Sequence, residues 1–286
     1  MWENIPVWSL NYEVVYYIFF IVISGFRLNI KLLFIISFIT PLGLLLLSNG
    51  HINQHVLEYF IFFCFWISGA VIADRYRSID WQETNFVLLM SCVCAFISLE
   101  YFDILHTALN KALSFIGLYS VSITSNWDST ANIVKDLCSL PFCIIIIMLF
   151  IGAKSRFLIY GYYFLQALNA LTLIYIYQHR HEQEIHKFII PTLFFLASVL
   201  LLLWQNNQRL NFLLERFMQK GAAVGGISYG IYIIHFPILA SFKSVHEFSG
   251  SGLTFSVRFI LVIGFSILAA YLLEKKWQPL AVRFLR

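Results

Sequence analysis

Nine apolar runs divide this chain, at 12–26, 31–48, 56–73, 84–100, 137–153, 157–177, 188–204, 226–242 and 254–273. A helix needs about 20 mostly apolar residues to cross a hydrocarbon core of about 30 Å. The runs approach that length, several falling slightly short. Charged residues make up 12% of the chain and hydrophobic ones 60%, whereas soluble domains carry about 25% charged and about 45–50% apolar residues. The expected fold class is therefore all-α: a polytopic transmembrane helix bundle of about nine spans, with 1–286 as one domain.

The basic residues suggest an orientation. Lys and Arg favour cytoplasmic loops. With nine crossings and 101–136 outside, Arg27, Lys31, Arg75, Arg77, Lys154, Arg156, Arg209, Arg216, Lys220, Lys275, Lys276, Arg283 and Arg286 fall inside. Lys111, Lys135, Arg180, Lys187 and Lys243 fall outside, and Arg258 lies in a run. An outside N-terminus and a cytoplasmic C-terminus follow. Trp2 and Glu3 stand where a signal peptide would be basic, so the first run is expected to act as the insertion signal. The stretch 101–124 holds Asp103, His106 and Lys111, and spans, re-enters or lies at the interface. Stretch 205–224 places Leu210, Leu213, Leu214 and Phe217 among charges, as in an interfacial amphipathic helix or an extension of the preceding span.

Several function classes drop out. The net charge of +4 forms no basic stripe, so a nucleic-acid footprint is not expected. Cys64, Cys92, Cys94, Cys138 and Cys143 show no CxxC spacing and read as small buried hydrophobes. Residues 178–187 hold three histidines, but His179 and His181 lack the i, i+4 spacing of helical metal ligands, so a solvated loop is the simpler reading. The sequence contains no P-loop, no GxSxG and no HExxH.

Ionisable residues at membrane depth are costly and face the bundle interior or a water-filled cavity. Glu13 stands at the outer end of the first run, as an interfacial carboxylate or a site residue, with Trp8 fitting an aromatic belt. His235 falls midway along its run. Ser228, Tyr229 and Tyr232 precede it, and Ser228, Tyr232 and His235 share one helix face at i, i+4, i+7. Pro237 is expected to free backbone carbonyls and kink that helix. Such a polar stripe reads as a cavity wall. Glu274 closes the last run as a helix cap, Arg258 and Glu58 are placed to snorkel, and Gly69 suggests close helix packing through a small residue.

Two stretches carry a resemblance. "VWSLNYEVVYYIFF" resembles the "WSL-x-x-E-x-x-Y/F" segment of the membrane acyltransferase-3 family, the bacterial O-acyltransferases of surface polysaccharides, and "ISYGIYIIHFPIL" resembles its late "ISY-x-x-Y-x-x-H-x-P" helix. "FFCFWISGAVIADRY" and "EKKWQPL" are similar to its "FF-x-x-G-x-x-x-A" and "E-x-x-x-x-P" elements. The resemblance implies a multi-pass enzyme of the bacterial inner membrane that moves an acyl group, usually acetyl, from acyl-CoA to a hydroxyl of a surface carbohydrate or lipid-linked glycan. It implies no bound cofactor. It implies Glu13 and His235 as catalytic residues, Trp8, Ser9, Ser228, Tyr229 and Tyr232 as substrate-binding residues, and Gly69, Pro237 and Glu274 as structural ones. Asn11 and Tyr12 depart from the family's usual Ser-Val pair. The family's earlier helices, with a histidine held essential and arginines thought to meet acyl-CoA, have no counterpart before Trp8. The expectation is thus a C-terminal two-thirds of an acyltransferase, whose activity alone is not implied and which admits a separate chain supplying those helices. A glycan-lipid transporter or polysaccharide polymerase subunit remains open, as does a non-catalytic remnant.

Overall fold

The computed structural model describes residues 5–26, 28–47, 53–75, 82–115, 127–178, 185–243 and 251–285. Its described elements are helical, with no strand among them: α1 (Ile5–Gly25), α2 (Ile30–Leu47), α3 (Gln54–Arg75), α4 (Phe86–Tyr101), α5 (Ile104–Phe115), α6 (Trp127–Phe150), α7 (Arg156–Gln178), α8 (Ile189–Leu203), α9 (Gln208–Gly225), α10 (Ser228–Lys243), α11 (Gly252–Tyr271) and α12 (Gln278–Leu285). A 3₁₀ turn, Ile185–Phe188, leads into α8, and a π-helical segment, Leu272–Trp277, joins α11 to α12. Each of the nine apolar runs falls on a helix. Four stretches, His55–Arg75, Arg156–Gln178, His186–Leu203 and Gly252–Leu280, are long and apolar enough to cross a membrane. The remaining runs lie on α1, α2, α4, α6 and α10. Large apolar side chains face outward all round these helices, among them Phe157, Leu203, Phe255 and Ile260, a pattern compatible with an apolar surrounding medium.

Two compact units emerge, Val22–Leu214 and the pair Met1–Ile21 with Glu215–Arg286. The boundaries fall inside α1 and α9, where composition gives no signal.

In Val22–Leu214, α3 buries Leu57, Ile61 and Cys64, at i, i+4, i+7, against Val134, Leu137 and Leu140 of α6. Phe34, Phe38 and Leu42 of α2 pack on this cluster. Gly69 lies off that stripe, exposed, with nothing within 4 Å of where its Cβ would sit. The expected close approach through Gly69 is therefore not made among the described residues. Glu58 also departs from expectation. Its carboxylate is buried and pairs with His55 Nδ1 at 3.2 Å instead of snorkelling.

Small residues bring α4 and α8 together. Ser91, Ala95 and Ser98, again i, i+4, i+7, are fully buried on α4, where small side chains let helix backbones approach closely. Hydroxyls knit the interface: Ser91 Oγ donates to Ser198 O at 2.6 Å, Ser198 Oγ to Ser91 O at 2.8 Å, and Ser98 Oγ to Pro191 O at 2.9 Å. All five cysteines are free; Cys64 and Cys92 are fully buried and Cys94, Cys138 and Cys143 partly so, as small hydrophobes would be.

The ambiguous stretches resolve in part. α5 has 12 residues, about 18 Å at about 1.5 Å per residue, too short to cross; residues 116–126 lie outside the described ones. α9 is a new helix rather than an extension of α8. A turn at 204–206 ends α8, and Asn207 Oδ1 accepts from Leu210 N at 3.1 Å to cap the next helix.

In Met1–Ile21 with Glu215–Arg286, α10 packs on α11. Ser251 caps α11 reciprocally with Thr254: Thr254 N donates to Ser251 Oγ at 3.2 Å, and Ser251 N to Thr254 Oγ1 at 3.0 Å. Ser266 and Ala270 of α11 are buried in this unit.

Candidate functional site

The late motifs meet where α10 begins. The first four amides of a helix have no intrahelical acceptor. Gly230 N, in the first turn of α10, donates to Glu274 Oε1 from the π-helical segment. A Cβ at Gly230 would lie 3.0 Å from Glu274 Oε1 and 3.1 Å from Ala270 Cα. Glycine thus suits the close approach of α11, which a Cβ would crowd, and the carboxylate reaches the amide with no side chain between them. The negative charge also complements the positive end of the α10 dipole. π-Helical insertions often occur at functional sites. Here the segment carries the glutamate that caps the neighbouring helix rather than its own, so the expected capping role of Glu274 is redirected.

Around α10, Ser228, Tyr232 and His235 lie roughly 140–200° from Gly230 at about 100° per residue. Ser228 and Tyr232 therefore lie away from the Gly230–Ala270 approach, whereas on the face of His235, seven residues on, Phe242 meets Phe265 of α11 with ring centres 6.1 Å apart. Ser228, Tyr229 and Tyr232 are exposed and His235 is partly buried. His235 Nδ1 sits 2.8 Å from Tyr232 O and 3.2 Å from Ile231 O. A carbonyl only accepts, so Nδ1 is the donor here; in the neutral ring that tautomer leaves the lone pair on Nε2, the atom from which a histidine acts as a general base. The rings of Tyr232 and His235 stand 6.1 Å apart and tilted. α10 runs through Pro237 uninterrupted. The missing N–H leaves Ile233 O without its usual donor, and Pro237 O itself accepts from Ser241 Oγ at 2.8 Å.

Glu13 is exposed on α1 and makes no hydrogen bond among the described residues. The side chains of Trp8 and Ser9 lie outside the described residues, as do His179 and His181. Among the described residues no group of three His, Cys, Asp or Glu side chains could hold a metal ion.

Two polar clusters in Val22–Leu214 escaped the sequence reading. In the first, Tyr162 OH meets Ser91 Oγ at 2.6 Å and accepts from Gln166 Nε2 at 2.7 Å. Asn169 Nδ2 donates to Ala95 O at 3.0 Å. Gln166 Oε1 and Asn169 Oδ1 are buried without a hydrogen-bond partner. Tyr162, Gln166 and Asn169 recur at i, i+4, i+7 within an apolar run, a signal that was available. In the second, Lys135 Nζ lies 3.2 Å from both Glu100 Oε2 and Asp103 Oδ1, and Asp103 Oδ2 lies 3.0 Å from His106 Nδ1. Asp103 has φ 55°, a left-handed conformation that asparagine and aspartate tolerate better than most residues. Burial alone would lower the Lys135 pKa; Glu100 and Asp103 outweigh it, and the net shift is upward. Burial pushes the Asp136 carboxyl up.

No protein-family model, characterised protein or solved structure shows significant similarity to this chain.

Proposed function

We propose that this chain is an integral membrane O-acyltransferase that transfers an acyl group, most simply acetyl, from acyl-CoA to a hydroxyl of a cell-surface carbohydrate. The supporting observation is the Glu274–Gly230 contact. Two separate motifs of the acyltransferase resemblance, one carrying His235 and the other Glu274, converge on one helix end. In this proposal the chain crosses the bacterial inner membrane about nine times, with its C-terminus cytoplasmic.

Chemically, the acceptor oxygen attacks the thioester carbonyl, the C–S bond breaks, and the acceptor proton passes to a base and then to the departing CoA thiolate. A base at Nε2 and donors to the developing oxyanion are what this transfer requires. His235 offers Nε2, Tyr229 and Tyr232 offer hydroxyls, and Glu13 offers a carboxylate to orient or charge-pair with a catalytic histidine.

Transfer of radiolabelled acetyl from acetyl-CoA, in membranes carrying the gene in its native context, tests the proposal. Loss of roughly 100-fold in His235→Ala or Glu13→Gln is expected, since general acid–base groups contribute about 10²–10⁴. Full activity in both variants refutes the assigned roles. Absence of acyl-CoA binding to those membranes refutes the reaction class and leaves a glycan-lipid transporter or polymerase subunit.

A further inference from the structure

Two cavities in Val22–Leu214 share the lining residues Ile104, Ala108 and Leu168, so they adjoin. The larger holds about 780 Å³ and the smaller about 450 Å³. Both follow one face of α7. Phe157, Gly161, Phe164 and Leu168 line the larger cavity, and Leu171 and Tyr175 continue the face along the smaller. Their spacing alternates between four and three residues, which keeps them on a single stripe. Phe157 is 76% exposed, Phe164 58% and Leu171 63%. Such a face suits an acyl chain, which is as apolar as the side chains that form it.

The two ends differ. Arg75 and Ser155 line the larger cavity, and Lys154 and Arg156, both exposed, flank Ser155 in sequence. The far end, in the smaller cavity, has Lys111, with its ammonium 5.6 Å from the centre of the Tyr175 ring. Length matters as well. Phe157 to Leu168 rises about 17 Å along the helix at about 1.5 Å per residue. Half of a hydrocarbon core is about 15 Å. The length of the larger cavity therefore matches the depth of one leaflet, and where α7 crosses a bilayer its cationic end would fall at that leaflet's headgroups.

We propose that the larger cavity binds one anionic phospholipid from the Arg75-side leaflet, with the phosphate on the Arg75 guanidinium and an acyl tail along Phe157–Leu168 of α7. A guanidinium suits phosphate because its planar fork donates two parallel hydrogen bonds. The lipid tail covers the apolar groove between these helices. This site is independent of the acyl-transfer proposal and uses none of its residues.

Native mass spectrometry of the detergent-purified protein, titrated with phosphatidylglycerol or phosphatidylcholine of identical chains, tests it. One phosphatidylglycerol is expected to be retained at about fivefold lower concentration than phosphatidylcholine, the size expected for one basic residue near an anionic lipid. Arg75→Gln, at an exposed helix end, should erase that preference. Ala108→Trp, at an exposed position of α5 lining both cavities, should weaken retention of both lipids by filling the groove. Equal retention of the two lipids by the unmodified protein, or an unchanged preference in Arg75→Gln, overturns the proposal. Undiminished retention in Ala108→Trp overturns the placement of the tail.

Discussion

Replacing Glu274 with alanine isolates the contact between the two late motifs. Gly230 N donates to that carboxylate, and Gly230 is buried. A hydrogen bond to a charged group contributes about 1.5–3 kcal/mol, and a buried donor left unpaired costs about as much. The first turn of α10 should therefore open about 10–150 times more often in Glu274→Ala. Hydrogen exchange of the protein in nanodiscs, followed by mass spectrometry on peptides covering Ser228–Tyr232, reads this local opening. A second substitution probes the same contact from the other side. In Gly230→Ala the new Cβ meets Glu274 Oε1 at 3.0 Å and Ala270 Cα at 3.1 Å. Backbone cannot step aside, so the helices must part by a few tenths of an ångström. Overpacking costs about 1–3 kcal/mol, against about 1 kcal/mol gained from the better helix propensity of alanine, which leaves about 0–2 kcal/mol of destabilisation. Removing the carboxylate relieves part of the crowding, so the double variant should lose less than the two single losses together. Unchanged exchange in Glu274→Ala, or strict additivity in the double variant, refutes the assigned contact.

In Tyr162→Phe, the helix pairs around α7 should lose about 0.6 kcal/mol, the average for an interhelical hydrogen bond in a membrane, and at most about 1.7 kcal/mol, read by unfolding in mixed micelles. Ser91→Leu should cost more, about 1–3 kcal/mol, because Ser91 is fully buried between α4 and α8; equal costs for the two would count against the packing described. Lys135 holds its proton more tightly when folded than its ordinary value of 10.5, so its contribution is complete below 10.5 and fades as pH rises through the higher folded value. Thermal unfolding across that range should show the alkaline loss, and Lys135→Met should flatten it. Cys64 and Cys92, with no exposed surface, should resist maleimide in the native protein and react on unfolding; rapid native labelling of Cys92 would contradict the α4 packing.

Helix existence was legible because apolar runs of membrane length admit little else: backbone amides in lipid must pair within their own segment. All nine runs fall on helices. What each helix buries was less legible, because in an apolar medium hydrophobicity does not distinguish a packed face from a lipid-facing one. Gly69 shows the failure. Its small size suggested an interface, yet α3 buries the stripe through Leu57, Ile61 and Cys64 and leaves Gly69 exposed. Gly230, not singled out in the sequence, is a glycine whose missing Cβ lets two helices touch, as is Gly161 of α7, whose Cβ would meet Ile145 of α6.

Polar residues carry the information that hydrophobicity loses. On α10 the polar triplet Ser228, Tyr232 and His235 was read correctly as one face, since period alone sets it, but which neighbour that face meets depends on where Gly230 sits. Once Gly230 is fixed against Ala270, Ser228 and Tyr232 must point the other way. The same logic applied to α7 separates two faces of one helix. Tyr162, Gln166 and Asn169 form a stripe turned inward to Ser91 and Ala95, whereas Phe157, Gly161, Phe164 and Leu168 form the stripe that lines the groove. In a chain with 60% hydrophobic residues, the sparse hydroxyls and amides of α4, α7 and α8, rather than the abundant leucines and phenylalanines, mark the sides of those helices that pack on protein.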